Sequence, residues 1–66
     1  MKKLTYNNML RAIKLIEAKG YDRYTAEQLA TNCFDIASNN KNDMPIEWYI
    51  DKIMPADEYE AMYNNA

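Results

Sequence analysis

Residues that interrupt regular structure are almost missing from this chain. Its 66 residues include one glycine and two prolines, whereas 48% are hydrophobic. A sheet of several strands needs a turn after each strand, and such turns favour glycine and proline. The hydrophobic content is also higher than that of disordered chains. These two properties predict an all-α fold.

The first predicted helix covers residues 5–19. Hydrophobic side chains recur there at spacings of three and four, so they share one face of a helix. They are Tyr6, Met9, Leu10, Ile13 and Ile16. Gly20 follows, and a glycine in the left-handed conformation commonly ends a helix. Tyr21 would then return to contact Ile16, as in a Schellman motif.

The second predicted helix covers residues 26–38. Thr25 and Gln28 fit a capping box, in which the hydroxyl accepts a first-turn N–H and the amide side chain reaches back. The hydrophobic residues of this segment share one face, and they are Leu29, Ala30, Cys33, Phe34, Ile36 and Ala37. We expect the small residues among them, Ala30, Cys33 and Ala37, to pack closely against the first helix.

Two shorter helices are predicted after a polar loop. The third covers residues 45–54, with Asp43 as its cap and Pro45 in its first turn. Pro55 interrupts the helical pattern and begins a fourth helix over residues 56–63. We expect the larger apolar side chains of this last helix to face inward, and they are Tyr59, Met62 and Tyr63.

A chain of this length is sufficient for a single domain, residues 1–66. The predicted architecture is a compact bundle of three main helices with a short fourth helix at the C-terminal end. Its predicted core consists of Met9, Leu10, Ile13, Ile16, Leu29, Cys33, Phe34, Ile46, Tyr49, Ile50 and Ile53.

The composition also bears on cellular location. Cys33 is the only cysteine, so it has no partner for an internal disulfide. No hydrophobic run reaches the ~18 residues of a membrane span, and the first residues are too polar for a signal peptide. We therefore expect a cytoplasmic protein that does not bind a membrane. Asparagine is unusually common, which indicates an AT-rich genome, such as that of a low-GC bacterium or one of its mobile elements.

The sequence contains no residue set typical of catalysis or of metal or cofactor binding. It has no histidine, the commonest general base. Cys33 lies on a hydrophobic helical face, where a free cysteine is usually a packing residue. Phosphate-binding loops, zinc-ligand spacing and calcium loops are missing. We predict a protein that is not an enzyme, with no catalytic residue, no metal and no cofactor.

Trp48 points away from the predicted core of the third helix. At about 100° per residue it lies roughly 160° from the face of Ile46 and Ile50, beside Lys52. Two interpretations are open. The fourth helix or the chain terminus could cover the indole, or Trp48 could anchor a protein–protein contact, where tryptophan, tyrosine and arginine dominate the binding energy. Tyr24 presents the same alternative.

The charges are unevenly distributed. Residues 1–24 carry six basic and two acidic residues, a net +4, whereas residues 25–66 carry two basic and eight acidic residues, a net −6. We predict a small protein–protein interaction module, an accessory or regulatory protein of a bacterial mobile element, with Trp48, Lys52, Tyr24, Arg11 and Lys14 as candidate partner-binding residues. An alternative is a structural homo-oligomer, in which the basic first helix of one copy meets the acidic third or fourth helix of another.

A second alternative is nucleic-acid binding through Arg11 and Lys14, which share the polar face of the first helix. The segment T-A-E-Q-L-A resembles the opening helix of helix-turn-helix domains. The glycine that this motif places at its turn is Phe34 here, however, and the third helix carries Glu47 and Asp51. Acidic residues oppose binding to a polyanion, so nucleic acid is not the preferred partner.

Residues 13–53 also resemble the three-helix ubiquitin-associated domain. The similar features are Ile13, Ile16, Lys19-Gly20-Tyr21, the second helix, Asn42 and Trp48-Tyr49. Lys19 stands where that family has the methionine that contacts its ligand. The resemblance therefore implies a compact three-helix topology and implies nothing about ubiquitin.

Overall fold

The structure is a computed structural model that describes residues 3–41 and 44–64. The chain forms four helices, α1 (Tyr6–Glu17), α2 (Arg23–Asn39), α3 (Ile46–Asp51) and α4 (Ala56–Asn64), and there is no strand among the described residues. Helices α1, α2 and α3 pack against one another. The predicted all-α fold with three packed helices and a fourth short helix is confirmed.

Helix α1 begins close to its predicted start and ends two residues before its predicted end. Thr5 is its N-cap, and the hydroxyl of Thr5 accepts the backbone N–H of Asn8 at 3.1 Å. Beyond Glu17 the N–H groups of Lys19 and Gly20 bond to carbonyls three residues back, at 2.9 Å each. Gly20 has φ 102°, which confirms the predicted left-handed residue after the helix.

Helix α2 begins three residues before its predicted start, so the predicted capping box at Thr25 and Gln28 is wrong. Asp22 is the N-cap, and its Oδ1 accepts the backbone N–H of Thr25 at 2.9 Å. The earlier start adds an ion pair between positions i and i+4, with Arg23 Nε 3.0 Å from Glu27 Oε1. Thr25 thus lies inside the helix and donates its N–H to the cap.

Small side chains form the contact between α1 and α2. Ala12, Ala26 and Ala30 are fully buried, and Cys33 is buried beside them. Side chains of this size allow two helices to approach closely, because the backbones set the separation. Ala30 and Cys33 are buried in the core between the packed helices, with Ala37 half-buried at its edge.

The predicted core is confirmed except for Leu10, which is half-buried outside the core cluster and lines a surface groove. Two further assignments to hydrophobic faces are wrong, because Tyr6 is 78% exposed and Ile36 is 49% exposed. Ile36 is rotated by 100° around the helix axis from each of its sequence neighbours, Asp35 and Ala37. Ala37 packs against the core whereas Asp35 is exposed, so Ile36 lies at the margin of the buried face.

Helix α3 is shorter than predicted and ends at Asp51. The next N–H groups, of Lys52 and Ile53, bond to carbonyls three residues back at 3.2 and 3.0 Å, so the chain tightens into turns. Pro55 also disfavours the helical conformation at the residue before it. Pro45 is the N-cap and provides no side-chain bond. The predicted cap, Asp43, lies outside the described residues.

Helix α4 does not pack on the three-helix core, so the predicted inward orientation of its hydrophobic residues is wrong. Tyr59, Met62 and Tyr63 are 52%, 60% and 73% exposed, respectively. No Cα atom of α4 lies within 8 Å of a Cα atom in α1, α2 or α3. The radius of gyration is 12.2 Å, against about 11 Å for a compact chain of this length. The fourth helix is therefore an arm beside a three-helix core.

Two hydrogen bonds attach this arm to the core. The N–H of Ala56 donates to the carbonyl of Lys19 at 2.9 Å, and the hydroxyl of Tyr21 donates to the carbonyl of Met54 at 2.6 Å. The ring of Tyr21 packs against the core cluster, of which Ile16 is a member. The loop after α1 therefore sets where α4 begins.

Candidate functional site

Trp48 lies on α3, and the side chains of Tyr49 and Lys52 contact its indole ring. Ile46 and Ile50 face the core and are at most 3% exposed, whereas Trp48 is 36% exposed. The rings of Trp48 and Tyr49 meet edge to face, with centroids 5.0 Å apart and planes at 84°. Lys52 Nζ lies 4.2 Å from the centroid of the indole. The sequence-predicted pair of Trp48 and Lys52 is thus an ordered contact on the surface of α3, and α4 does not pack on this helix.

Arg11 is exposed and lies on the side of α1 towards α3. Its positive charge helps to lower the pKa of Glu47, although the main cause is the hydrogen bond that the Glu47 carboxylate accepts from its own backbone N–H. The Glu47 side chain is half-buried. Arg11 and Glu47 therefore bring opposite charges near each other between α1 and α3, and Arg11 remains on the polar face of α1 that it shares with Lys14.

Lys14 and Tyr24 lie near a groove between α1 and α2. The groove has a volume of about 300 Å³ and is lined by Tyr6, Met9, Leu10, Ile13, Arg23, Glu27 and Thr31. Lys14 is four residues after Leu10 and Tyr24 is three residues before Glu27, so both flank the lining residues on the helix surface. Tyr24 is 72% exposed. The five predicted partner-binding residues thus divide between two surfaces, one around Trp48 and one around this groove.

Sequence reasoning missed the residues that form the groove itself. Tyr6 and Leu10 are one helical turn apart; Tyr6 was predicted on the hydrophobic face of the first helix and Leu10 in the core, because an amphipathic pattern does not show where the covering helix ends. Arg23 was missed because α2 was predicted to begin after it. The spacing of Arg23 and Glu27, four residues apart with opposite charge, is a signal of helix that could have indicated the earlier start.

The described residues contain little that could support catalysis. Cys33 is 5% exposed, and burial raises the pKa of its thiol, which disfavours the reactive thiolate. No group of three or more metal-ligating side chains comes together within the described ranges. In the same residues, no helix has the length and hydrophobicity required to cross a membrane.

No protein-family model matches the sequence, and no curated protein and no solved structure matches it either. The three packed helices agree with the topology that the resemblance to the ubiquitin-associated domain implied. Asn42, one of the residues that carried this resemblance, lies outside the described residues. The interaction surfaces are therefore interpreted from their own geometry and chemistry.

Proposed function

We propose that this protein is a non-enzymatic protein–protein interaction module that binds its partner through Trp48. The observation that carries the proposal is the geometry of the indole, which is partly exposed, beside the core, and held between Tyr49 and Lys52. Tryptophan is enriched among the residues that dominate binding energy at protein interfaces. A side chain that is already ordered loses less conformational entropy when a partner binds.

Lys52 has two roles in this proposal. Its ammonium lies over the indole, an arrangement that contributes about 0.5–1 kcal/mol at exposed sites. The same charge can pair with a carboxylate at the rim of an interface, together with Arg11. We therefore propose a partner surface with a hydrophobic pocket for the indole and acidic groups beside it.

The proposed context is an accessory or regulatory protein in the cytoplasm of a bacterium, encoded by a mobile element. Its support is compositional, because the abundance of asparagine fits an AT-rich genome and the single cysteine fits a reducing compartment.

The test is affinity capture from a lysate of the organism that encodes the protein, with wild type, Trp48→Ala and Ile36→Ala as baits. Ile36 is the matched control because it is an exposed hydrophobic residue on α2. We expect a specific protein to be recovered with wild type and with Ile36→Ala and to be lost with Trp48→Ala. Circular dichroism of each bait checks that the fold is retained. Recovery of the same proteins with all three baits would show that Trp48 is not the anchor.

Nucleic-acid binding through Arg11 and Lys14 stays an alternative prediction. The proximity of Glu47 to Arg11 does not favour it, since a carboxylate on the same surface repels phosphate. A gel-shift assay with duplex DNA and single-stranded RNA at low salt separates the alternatives. Retardation that is lost in a variant combining Arg11→Ala and Lys14→Ala would support nucleic-acid binding and contradict the preferred proposal.

A further inference from the structure

Helix α4 carries a hydrophobic strip that its own chain leaves uncovered. Tyr59, Met62 and Tyr63 share one face of the helix, and all three are more than half exposed. The rings of Tyr59 and Tyr63 stack with centroids 6.4 Å apart. By helical geometry Glu58 flanks this strip on one side and Glu60 on the other. The strip is therefore apolar along its centre and acidic along both margins.

The groove between α1 and α2 has the complementary arrangement. Met9, Leu10 and Ile13 form its hydrophobic floor, and Arg23 lies on its α2 side. Lys14 flanks it on the α1 side, one helical turn beyond Leu10. The groove is therefore apolar along its centre, with Arg23 and the acidic Glu27 on its α2 margin and Lys14 on its α1 margin.

The two cations differ in how much of their charge is already paired. Arg23 contacts Glu27 at 3.0 Å and Glu17 at 3.9 Å, and these side chains are between about one-third and one-half exposed. Exposed pairs of this kind are weak and exchange readily. Lys14 forms no ion pair with any described residue. Lys14 is thus more available than Arg23 to pair with a carboxylate of another molecule.

The groove and the α4 helix of the same chain lie at opposite ends of α1 in the structure. Helix α4 begins at the C-terminal end of α1, where Ala56 bonds to Lys19, whereas the groove lies along the N-terminal half of α1. In the structure α4 does not approach α1 or α2.

We propose that the occupant of the groove is α4 of a second copy of this chain. The hydrophobic strip of α4 would lie on the floor formed by Met9, Leu10 and Ile13, as an amphipathic helix lies in a groove. The carboxylates of Glu58 and Glu60 would then approach the cations at its margins. Two copies related by a two-fold axis would make this contact twice. This self-association uses a surface separate from Trp48 and does not depend on the proposed function.

Sedimentation velocity across a concentration series, from about 10 μM to 1 mM, tests the proposal on the full chain, since this range detects weak as well as moderately tight self-association. We expect wild type to show a mass above that of the monomer that rises with concentration and falls with added salt. Met62→Ser on α4 and Leu10→Glu in the groove should each weaken association at least tenfold. Asp57→Asn is the matched control, because Asp57 lies on α4 away from the hydrophobic strip, and it should associate as wild type does.

Mixing distinguishes this contact from pairing of two α4 helices. A chain with Met62→Ser retains its groove, and a chain with Leu10→Glu retains its α4, so the mixture should form a complex that neither variant forms alone. Lys14→Glu is a second groove variant with an exposed side chain, in case Leu10→Glu does not fold. Wild type that stays monomeric throughout the series would overturn the proposal. Groove variants that associate like wild type would also overturn it, since they would place the contact elsewhere.

Discussion

Gly20 is the residue at which local backbone conformation and tertiary contact coincide. Its φ of 102° lies in a region that L side chains rarely adopt, and an added Cβ would lie 3.2 Å from the Cβ of Ala56. The left-handed turn ends the first helical segment and places Tyr21 and Lys19 where both bond to the chain around α4. One glycine therefore determines both the end of α1 and the position of the arm.

We expect Gly20→Ala to destabilise the protein by about 1–2 kcal/mol, because a side chain is disfavoured in the left-handed region. The measurement is urea unfolding followed by circular dichroism. Ala18→Gly is the control, because Ala18 has an ordinary helical φ of −62°, so any loss there reflects only the added flexibility of glycine. Equal stability of Gly20→Ala and wild type would contradict the conformational argument.

Asp22 and Thr25 both have side chains that commonly cap a helix, and in the structure Asp22 is the N-cap of α2. Hydrogen bonds from the side-chain hydroxyl of Thr25 and from its backbone N–H lower the pKa of the Asp22 carboxyl below its ordinary value of 3.8. A lowered pKa in the folded state means that Asp22 stabilises the fold fully above pH 3.8 and loses this contribution as pH falls through the lowered value.

We expect Asp22→Ala to unfold at lower urea concentration than wild type at neutral pH, and the difference to shrink below about pH 4, where the aspartate becomes protonated. Asp22→Ser retains a capping hydroxyl without a titrating group and should show a smaller, pH-independent loss. Thr25→Ala should cost less than Asp22→Ala, because Thr25 lies within the helix. A larger loss of stability in Thr25→Ala than in Asp22→Ala would indicate that Thr25 is the cap.

At the scale of helices, the contact between α1 and α2 depends on alanine. Ala12, Ala26 and Ala30 are fully buried, although they contribute little hydrophobic surface individually. Their role is to let the two backbones approach, so that Ile16 and Phe34 can fill the remaining core. The sequence pattern identified Ala30 as part of this contact but did not identify Ala12 and Ala26, because alanine is common on any helical face.

We expect Ala30→Leu to destabilise the protein by about 1–3 kcal/mol, since extra methylene groups in a close helix contact force side chains or backbones apart. Ala61→Leu is the matched control, because the same substitution on α4 adds the side chain to an exposed position. Thermal unfolding of the two variants should differ clearly. Equal midpoints would mean that the α1–α2 contact accommodates a larger residue.

At the scale of the whole molecule, the protein consists of a three-helix core and an arm. Its hydrophobic surface is distributed between the core and the strip on α4, and the strip is not used within the chain. An exposed helix of nine residues has little stability of its own, because helices of this length are marginal in water without tertiary packing. If the proposed self-association occurs, the arm is expected to gain stability from the second copy rather than from its own core.

We expect a chain truncated after Pro55 to retain the three-helix fold, with a melting midpoint less than about 8 °C below that of wild type, because the loss is limited to about one hydrogen bond. In the intact chain at low concentration, amide protons of α4 should exchange much faster than those of α1 and α2. Hydrogen exchange by mass spectrometry measures this difference. An unfolded truncated chain would show that α4 contributes to the core.

The sequence by itself determined the helical class, the number of helices, most of the buried core and the direction of Trp48 away from the face of Ile46 and Ile50, whereas whether its indole is covered stayed open. Each of these follows from local spacing, because residues three and four apart share a helical face whatever the rest of the chain does. The tertiary structure decided which hydrophobic faces are covered. Tyr6, Ile36 and the strip on α4 have the same spacing as buried residues, but burial also needs a second element positioned against them, and no local pattern specifies that position.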